Sequence, residues 1–202
     1  MTGKKHKPHL LKLADYSNNI LRTKTAPVTF PLSDEDRQLI EDMIYSIQPE
    51  QLIAAKAPWE DPVGMAANQW GVNKSIFLYC PSGDTVNDIE VVINPSYEAK
   101  PTLAIIAPSE QSEWEGCFSV PLASGHIKRS NKIHVKYQNM DGKVIEKDLS
   151  GWRARVFQHE TDHLDGFLYD DPRHGRCLEK RVFKDRAAVE EFYISLINER
   201  KK

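Results

Sequence analysis

Hydrophobic positions along this chain fall into two kinds of run, some with a helical period and some that alternate. Ser33-Asp34-Glu35-Asp36 sets a capping serine and an acidic first turn ahead of Leu39, Ile40, Met43, Ile44 and Ile47. That spacing predicts a helix with one apolar stripe, and Pro49 is expected to stop it. Over residues 50–62 no period holds, and Pro58, Trp59 and Pro62 mark a loop or an insertion. Residues 75–80 and 89–93 are short apolar, β-branched runs between turn residues and read as strands. Ile133, Val135 and Tyr137 alternate with polar neighbours, and Asp141-Gly142 then turns the chain into residues 143–147, a hairpin. A last amphipathic helix is expected over about 185–198, with Val189, Phe192, Tyr193 and Leu196 facing inward.

The segment between that hairpin and that helix has the most demanding pattern. Ser150 suits an N-cap and Gly166 the position just past a helix end. At 100° per residue, Trp152, Val156, His159 and His163 share one narrow stripe, while Phe157 and Leu164 face nearly the opposite way. Apolar residues on both sides imply a helix buried in the middle of its domain. Two histidines, Glu160 and Asp162 are costly to bury there unless they are paired or bound to a metal. Strands and helices do not alternate as a doubly wound fold requires. The expected class is therefore α+β, with small antiparallel or mixed sheets packed around this central helix and a C-terminal helix beyond.

Composition narrows the picture without naming a chemistry. A chain of 202 residues suits one domain over 1–202, with residues 1–9 as a loose basic tail. The net charge of −2 gives no global reason to expect nucleic acid or a membrane surface as partner. Cys80, Cys117 and Cys177 are too few and too scattered for a disulfide framework, which points to a reducing cytoplasm. No apolar run reaches membrane-spanning length, and the N-terminus lacks the apolar region of a signal peptide.

Two motifs carry the chemistry. The first is Gln158-His159-Glu160-Thr161-Asp162-His163-Leu164, in which histidines four apart on one helix face can grip a single metal ion. Glu160, beside the first histidine, is placed to take a proton from a water that the metal activates. The second is Glu115-Gly116-Cys117-Phe118-Ser119, whose cysteine offers a third ligand of matching softness. Three protein ligands with an open fourth position make a catalytic arrangement rather than a structural one. A third segment, Val63-Gly64-Met65-Ala66-Ala67-Asn68-Gln69, brings small residues that let a ligand approach the backbone, and an amide in Gln69 that can donate to an oxyanion.

In this order the three segments resemble the peptide deformylase family, which carries Gly-x-Gly-x-Ala-Ala-x-Gln, Glu-Gly-Cys-x-Ser and Gln-His-Glu-x-Asp-His-Leu. The second and third match completely, Pro62 stands where the first has its opening glycine, and the likeness spans roughly residues 10 to 175. The resemblance implies a metal-dependent hydrolase that removes the formyl group from N-formylmethionyl nascent peptides and releases formate. It implies Cys117, His159 and His163 as ligands of one divalent metal, ferrous iron natively, with zinc, nickel or cobalt able to occupy the site. It further implies Glu160 as the base, and Gln69 and the backbone N–H of Phe118 as oxyanion donors. Val63 and Gly64 would bind the peptide backbone, and Trp152 and Val156 would wall the methionine pocket. A C-terminal helix like that of bacterial members adds the ribosome as a partner. Asp162 and Arg129 are expected to support the ligands, Arg129 pairing with Asp162 or Glu115. Cys80 and Cys177 are expected to be ordinary buried thiols. Two other classes remain open: a metallopeptidase taking His174 as third ligand, and a peptide-binding descendant without catalysis.

Overall fold

A computed structural model describes residues 7–55, 62–101 and 109–199. Ser33 opens helix α1 (Asp34–Ser46) with a capping box in which its hydroxyl accepts from the Asp36 N–H and the Asp36 carboxylate answers to the Ser33 N–H. Ile40, Met43 and Ile47 are fully buried beneath it. Pro49 does more than end this helix: it is the first residue of a second one, α2 (Pro49–Ala54). A proline has no N–H to lose at that position. The loop expected over 50–62 is thus helical at its start, while residues 56–61 lie outside the described residues. The tail expected over 1–9 is tied down by its end, since the His9 N–H donates to Asp42 Oδ1 at 2.8 Å. Residues 1–6 also lie outside the description.

Two antiparallel sheets flank the third helix. The larger runs in the order β1 (Gly64–Ala66), β2 (Ile76–Tyr79), β3 (Glu90–Ala99), β6 (Lys132–Gln138) and β7 (Val144–Ser150). The smaller joins β4 (Glu110–Glu115), β5 (Ala123–Ser130) and β8 (Cys177–Val182). The β6–β7 hairpin turns at Asp141-Gly142 as its sequence predicts, pairing Gln138 with Val144 and Lys132 with Ser150. Strand β3 reaches well past residue 93 because a bulge absorbs a register shift between Ile93 and Ser96. Asn94 sits there with φ 51°, and its side-chain amide closes the irregularity against Val28 and Gln138.

Helix α3 (Gly151–Leu164) lies against β1, β2 and β7 on one side and β5 on the other. Phe157 is fully buried, edge-on to Phe77 at 5.1 Å and to Tyr79 at 5.8 Å. Burial of a side chain this size stabilises by roughly 1.5–3 kcal/mol. Ser150 holds the N-cap position, but its side chain makes no capping bond. Gly166 just past the other end has φ +78°, and a Cβ there would meet the Arg22 and Thr23 backbone at 2.8–2.9 Å. The expected central helix is present, though its first turn is wet: Trp152 is 51% exposed. Helix α4 (Arg186–Glu199) follows β8, with Asp185 Oδ1 accepting from the Ala188 N–H.

Helix α1 gives a stability test. Burial raises the Asp36 carboxyl, but bonds from Lys74 and Ser33 outweigh it and hold the group below the ordinary carboxylate value. A carboxyl depressed on folding stabilises above its unfolded pKa and loses that contribution as pH falls through the folded one. Asp36→Asn is therefore expected to cost about 1 kcal/mol near neutral pH, with the gap to the parent closing as the pH falls below the ordinary aspartate value. Thermal melts across pH check this; a gap that persisted in acid would trace the loss to packing instead.

Candidate metal centre

Cys117 leaves the end of β4, while His159 and His163 project from successive turns of α3. Their ligand atoms lie within 4.8 Å of one another. Cys117 Sγ is 3.2 Å from His163 Nε2. Two ligands bonded at 2.0–2.3 Å in a tetrahedron stand about 3.5 Å apart, so the spacing suits one small ion. His159 Nδ1 is 2.9 Å from Glu115 Oε2. An ionised carboxylate only accepts, so Nδ1 carries the proton and the Nε2 lone pair is left for a metal. Without a metal, burial opposes charge on His159, but hydrogen bonds to Cys117 and Glu115 outweigh it and raise its pKa well above the ordinary value, so metal binding there displaces the Nε2 proton. His163 moves the other way, kept neutral by burial and by the charge on His159. One thiol and two imidazoles converging in a buried pocket are the donors of a transition-metal site.

Glu160 is 3% exposed, and its Oε2 has no hydrogen-bond partner among the described residues. Burial, working against the attraction of His159 and Arg129, pushes its carboxyl up to about 7. Gln69 stands in the 3-10 turn Ala67–Trp70 that follows β1. Its Oε1 accepts from the Ala66 N–H at 2.8 Å, which turns Nε2 toward Ser119 Oγ at 3.1 Å and Cys117 Sγ at 3.7 Å. Gly64 is packed against Glu160 so closely that a Cβ would lie 2.5–2.7 Å from three atoms of that side chain. These groups share a cavity of about 290 Å³ with Val63, Phe118, Trp152 and Val156.

A profile of the polypeptide deformylase family matches residues 10–177. The chain belongs to the polypeptide deformylase family. It is 38% identical over 164 residues to the peptide deformylase of Latilactobacillus sakei, spanning 76% of this chain and 84% of that one. It is 35% identical over 162 residues to that of Thermotoga maritima, spanning 80% and 86%. The crystal structure of the Thermotoga maritima peptide deformylase superposes with a TM-score of 0.66 at 33% identity, covering 85% of this chain and 99% of that one. A Met-Ala-Ser-bound class I type b peptide deformylase from Acinetobacter baumannii gives 0.64 at 27% identity, covering 81% and 98%. The family is metal-dependent, which agrees with the ligand cluster.

Behind this deformylase centre lies a buried ionic network. Arg129 donates through Nε and Nη2 to both Glu115 oxygens at 2.6 and 2.8 Å, and through Nη1 to Asp162 at 2.7 Å. Both pairings expected of Arg129 exist at once. His174 is not among the ligands: its Nε2 lies 3.0 Å from Asp162 Oδ1. Cys80 is buried, its thiol pushed up to about 12 by burial, and donates to the Pro62 carbonyl. Cys177 is only half buried. Sequence reasoning missed Arg155, whose Nη1 reaches Glu115 at 2.5 Å and the Ile127 carbonyl at 3.0 Å. It also missed Trp114 and Tyr193 in the cavity wall. The signal for Arg155 was its place on the α3 face beside Val156, one turn before His159.

Glu115→Gln removes the charge that holds His159 in its tautomer and leaves two buried guanidinium groups short of a counter-charge. Metal affinity is expected to fall by roughly 10–100-fold, read by competition with a chelator. Unchanged affinity would show that the ring is positioned by something else.

Proposed function

We propose that this chain acts as one metal-dependent domain that removes the formyl group from N-formylmethionine at the start of newly made polypeptides, releasing formate. The observation that carries the reading is the convergence of Cys117, His159 and His163, with Cys117 and His159 lining one cavity together with Glu160, whose Oε2 has no hydrogen-bond partner among the described residues. We assign one divalent metal to the three ligands, ferrous iron natively; zinc, nickel and cobalt suit the same donors. Once bound there, the metal supplies Lewis acidity, lowering the pKa of a water and drawing charge from a carbonyl oxygen.

The chain's own groups do the rest. Glu160, with its carboxyl near 7, takes a proton from the attacking water and returns it to the leaving amine. Gln69 has its amide oxygen already engaged, so its N–H₂ group is the end that can donate to the oxyanion. The backbone N–H of Phe118 serves as the second donor. The peptide backbone runs beside Val63 and Gly64, and the bare Cα of Gly64 keeps Glu160 in place. The methionine side chain enters between Val156 and Trp152, both in the cavity lining. No helix among the described residues is long and apolar enough to cross a membrane. Three free thiols support a cytoplasmic setting. Helix α4 exposes Ile194 and Ile197, which supports contact with the ribosome there.

Protein purified without air is expected to release formate from formyl-Met peptides and to act far more slowly on acetyl-Met peptides. A methyl in place of the formyl hydrogen must be accommodated in a packed site. Equal rates on the two would indicate a broad amidase. Glu160→Gln keeps the side chain's shape and removes the base. Turnover should drop by roughly 10²–10⁴-fold while metal content is retained, checked by metal analysis alongside formate assay. Loss of the metal as well would make Glu160 a support for the ligands.

A further inference from the structure

Helix α4 lies beyond residue 177, where the family match ends, yet it delivers a side chain to the active-site cavity. Tyr193 lines that cavity together with Trp114, Trp152 and Arg155. The same four residues line a second cavity, also of about 290 Å³, whose remaining walls include Leu196 and Ile197 of α4. Side chains common to two cavities form the partition between them. Trp152 and Arg155 come from α3 and Trp114 from β4, so Tyr193 is the part of this partition that the family core does not supply.

The wall is firmly seated. Tyr193 Oη is 2.9 Å from Ser124 Oγ on β5. Its neighbour Phe192 packs edge-on to Trp114 at 4.9 Å, and the Arg181 guanidinium lies over both rings at 4.9 and 5.0 Å. Burial pushes the Tyr193 hydroxyl up to about 12, so it stays a neutral hydrogen-bonding group across the working pH range. An aromatic ring held by a hydrogen bond at its tip and by packing at its base is a poor candidate for swinging aside when a side chain enters.

We propose that Tyr193 is a specificity-determining residue that sets the depth of the pocket for the side chain of the substrate's first residue. The inference rests on the deformylase reading above, in which that side chain enters between Val156 and Trp152. A long unbranched side chain such as methionine fits in front of the partition. A bulky aromatic one collides with it. Removing the ring joins the two cavities and opens room where Trp114, Leu196 and Ile197 offer apolar contact to an aromatic side chain, with Gln111 and Glu113 at its polar side.

The test compares kcat/KM for formyl-Met and formyl-Trp peptides on the metal-loaded, full-length protein. Tyr193→Ala is expected to raise the formyl-Trp to formyl-Met ratio roughly tenfold or more, chiefly through KM, and Tyr193→Phe, which restores the ring, to bring it back. Tyr193→Leu should move the ratio in the same direction by less, and it decides the matter if the alanine variant does not fold. Binding of the product peptides Met-Ala-Ser and Trp-Ala-Ser should shift in parallel, a readout that needs no turnover. A folded, metal-loaded Tyr193→Ala protein with the parent's ratio overturns the proposal. If the parent releases formate from neither peptide, the underlying deformylase reading fails instead, so the two failures are distinguishable.

Discussion

The carboxylate of Glu115 receives a bidentate grip from Arg129, a further bond from Arg155 Nη1, and the Nδ1 proton of His159, all while 6% exposed. Taking this carboxylate and two guanidinium groups out of water costs several kcal/mol per ion before any pairing. What the pairing returns is geometry. Burial alone would raise the Glu115 carboxyl, yet Arg129 and His159 hold it far below its ordinary value, so it stays charged. A charged acceptor at Nδ1 fixes the His159 tautomer and aims Nε2 at the ligand cluster. The network continues through Arg129 to Asp162, and from there to His174 and Arg176. The pieces come from four parts of the chain: β4, β5, α3, and the turn before β8.

Glu160 stands apart from this network although it is next to His159 in sequence. Glu115 and Asp162 each have a cationic partner in Arg129, while Glu160 Oε2 has none among the described residues. That difference sorts buried carboxyls by role. Glu115 and Asp162 are pinned in the charged form by Arg129. Glu160, desolvated and unpaired, is left near 7, where gaining and losing a proton cost similar energy. Gly64 completes the contrast by allowing the backbone of β1 to press against the Glu160 side chain and restrict it sterically rather than by charge.

Where chemistry and periodicity coincided, the chain could be read directly. The stripe of His159 and His163, the capping box at Ser33 and the β6–β7 hairpin are local patterns, and local patterns survive into the fold. Strands β4, β5 and β8 were not legible. Their sequences, EQSEWE, ASGHIKRS and CLEKRV, offer few β-branched apolar residues in alternation, and β8 is largely exposed. These strands exist because they pair with one another, a non-local cause that no window of sequence contains. Arg155 was hidden for a related reason: arginine on a helix is ordinarily a surface residue, and its burial is explained by distant partners, Glu115 forty positions away and the carbonyls of Ile127 and Gln111. Helix α2 was missed because Pro49 signals either an end or a start, and it serves as both.

The division of the ligands between elements has a consequence for how the molecule holds together. Cys117 follows β4 of the smaller sheet, while His159 and His163 ride on α3, which packs mainly on the larger one. Few apolar side chains bridge the smaller sheet to α3; Cys117, Val120, Ala123 and Ile127 form a cluster of their own with Leu21, Leu168 and Tyr169. The junction relies instead on polar ties, Glu115 to His159 and Arg155, and Arg129 to Asp162. A ligand set that spans such a junction acts as a cross-link, so metal binding and the docking of the smaller sheet are thermodynamically coupled. Catalytic geometry and structural integrity meet at the same few atoms, which is why the ionic network sits directly behind the ligands rather than elsewhere along the interface.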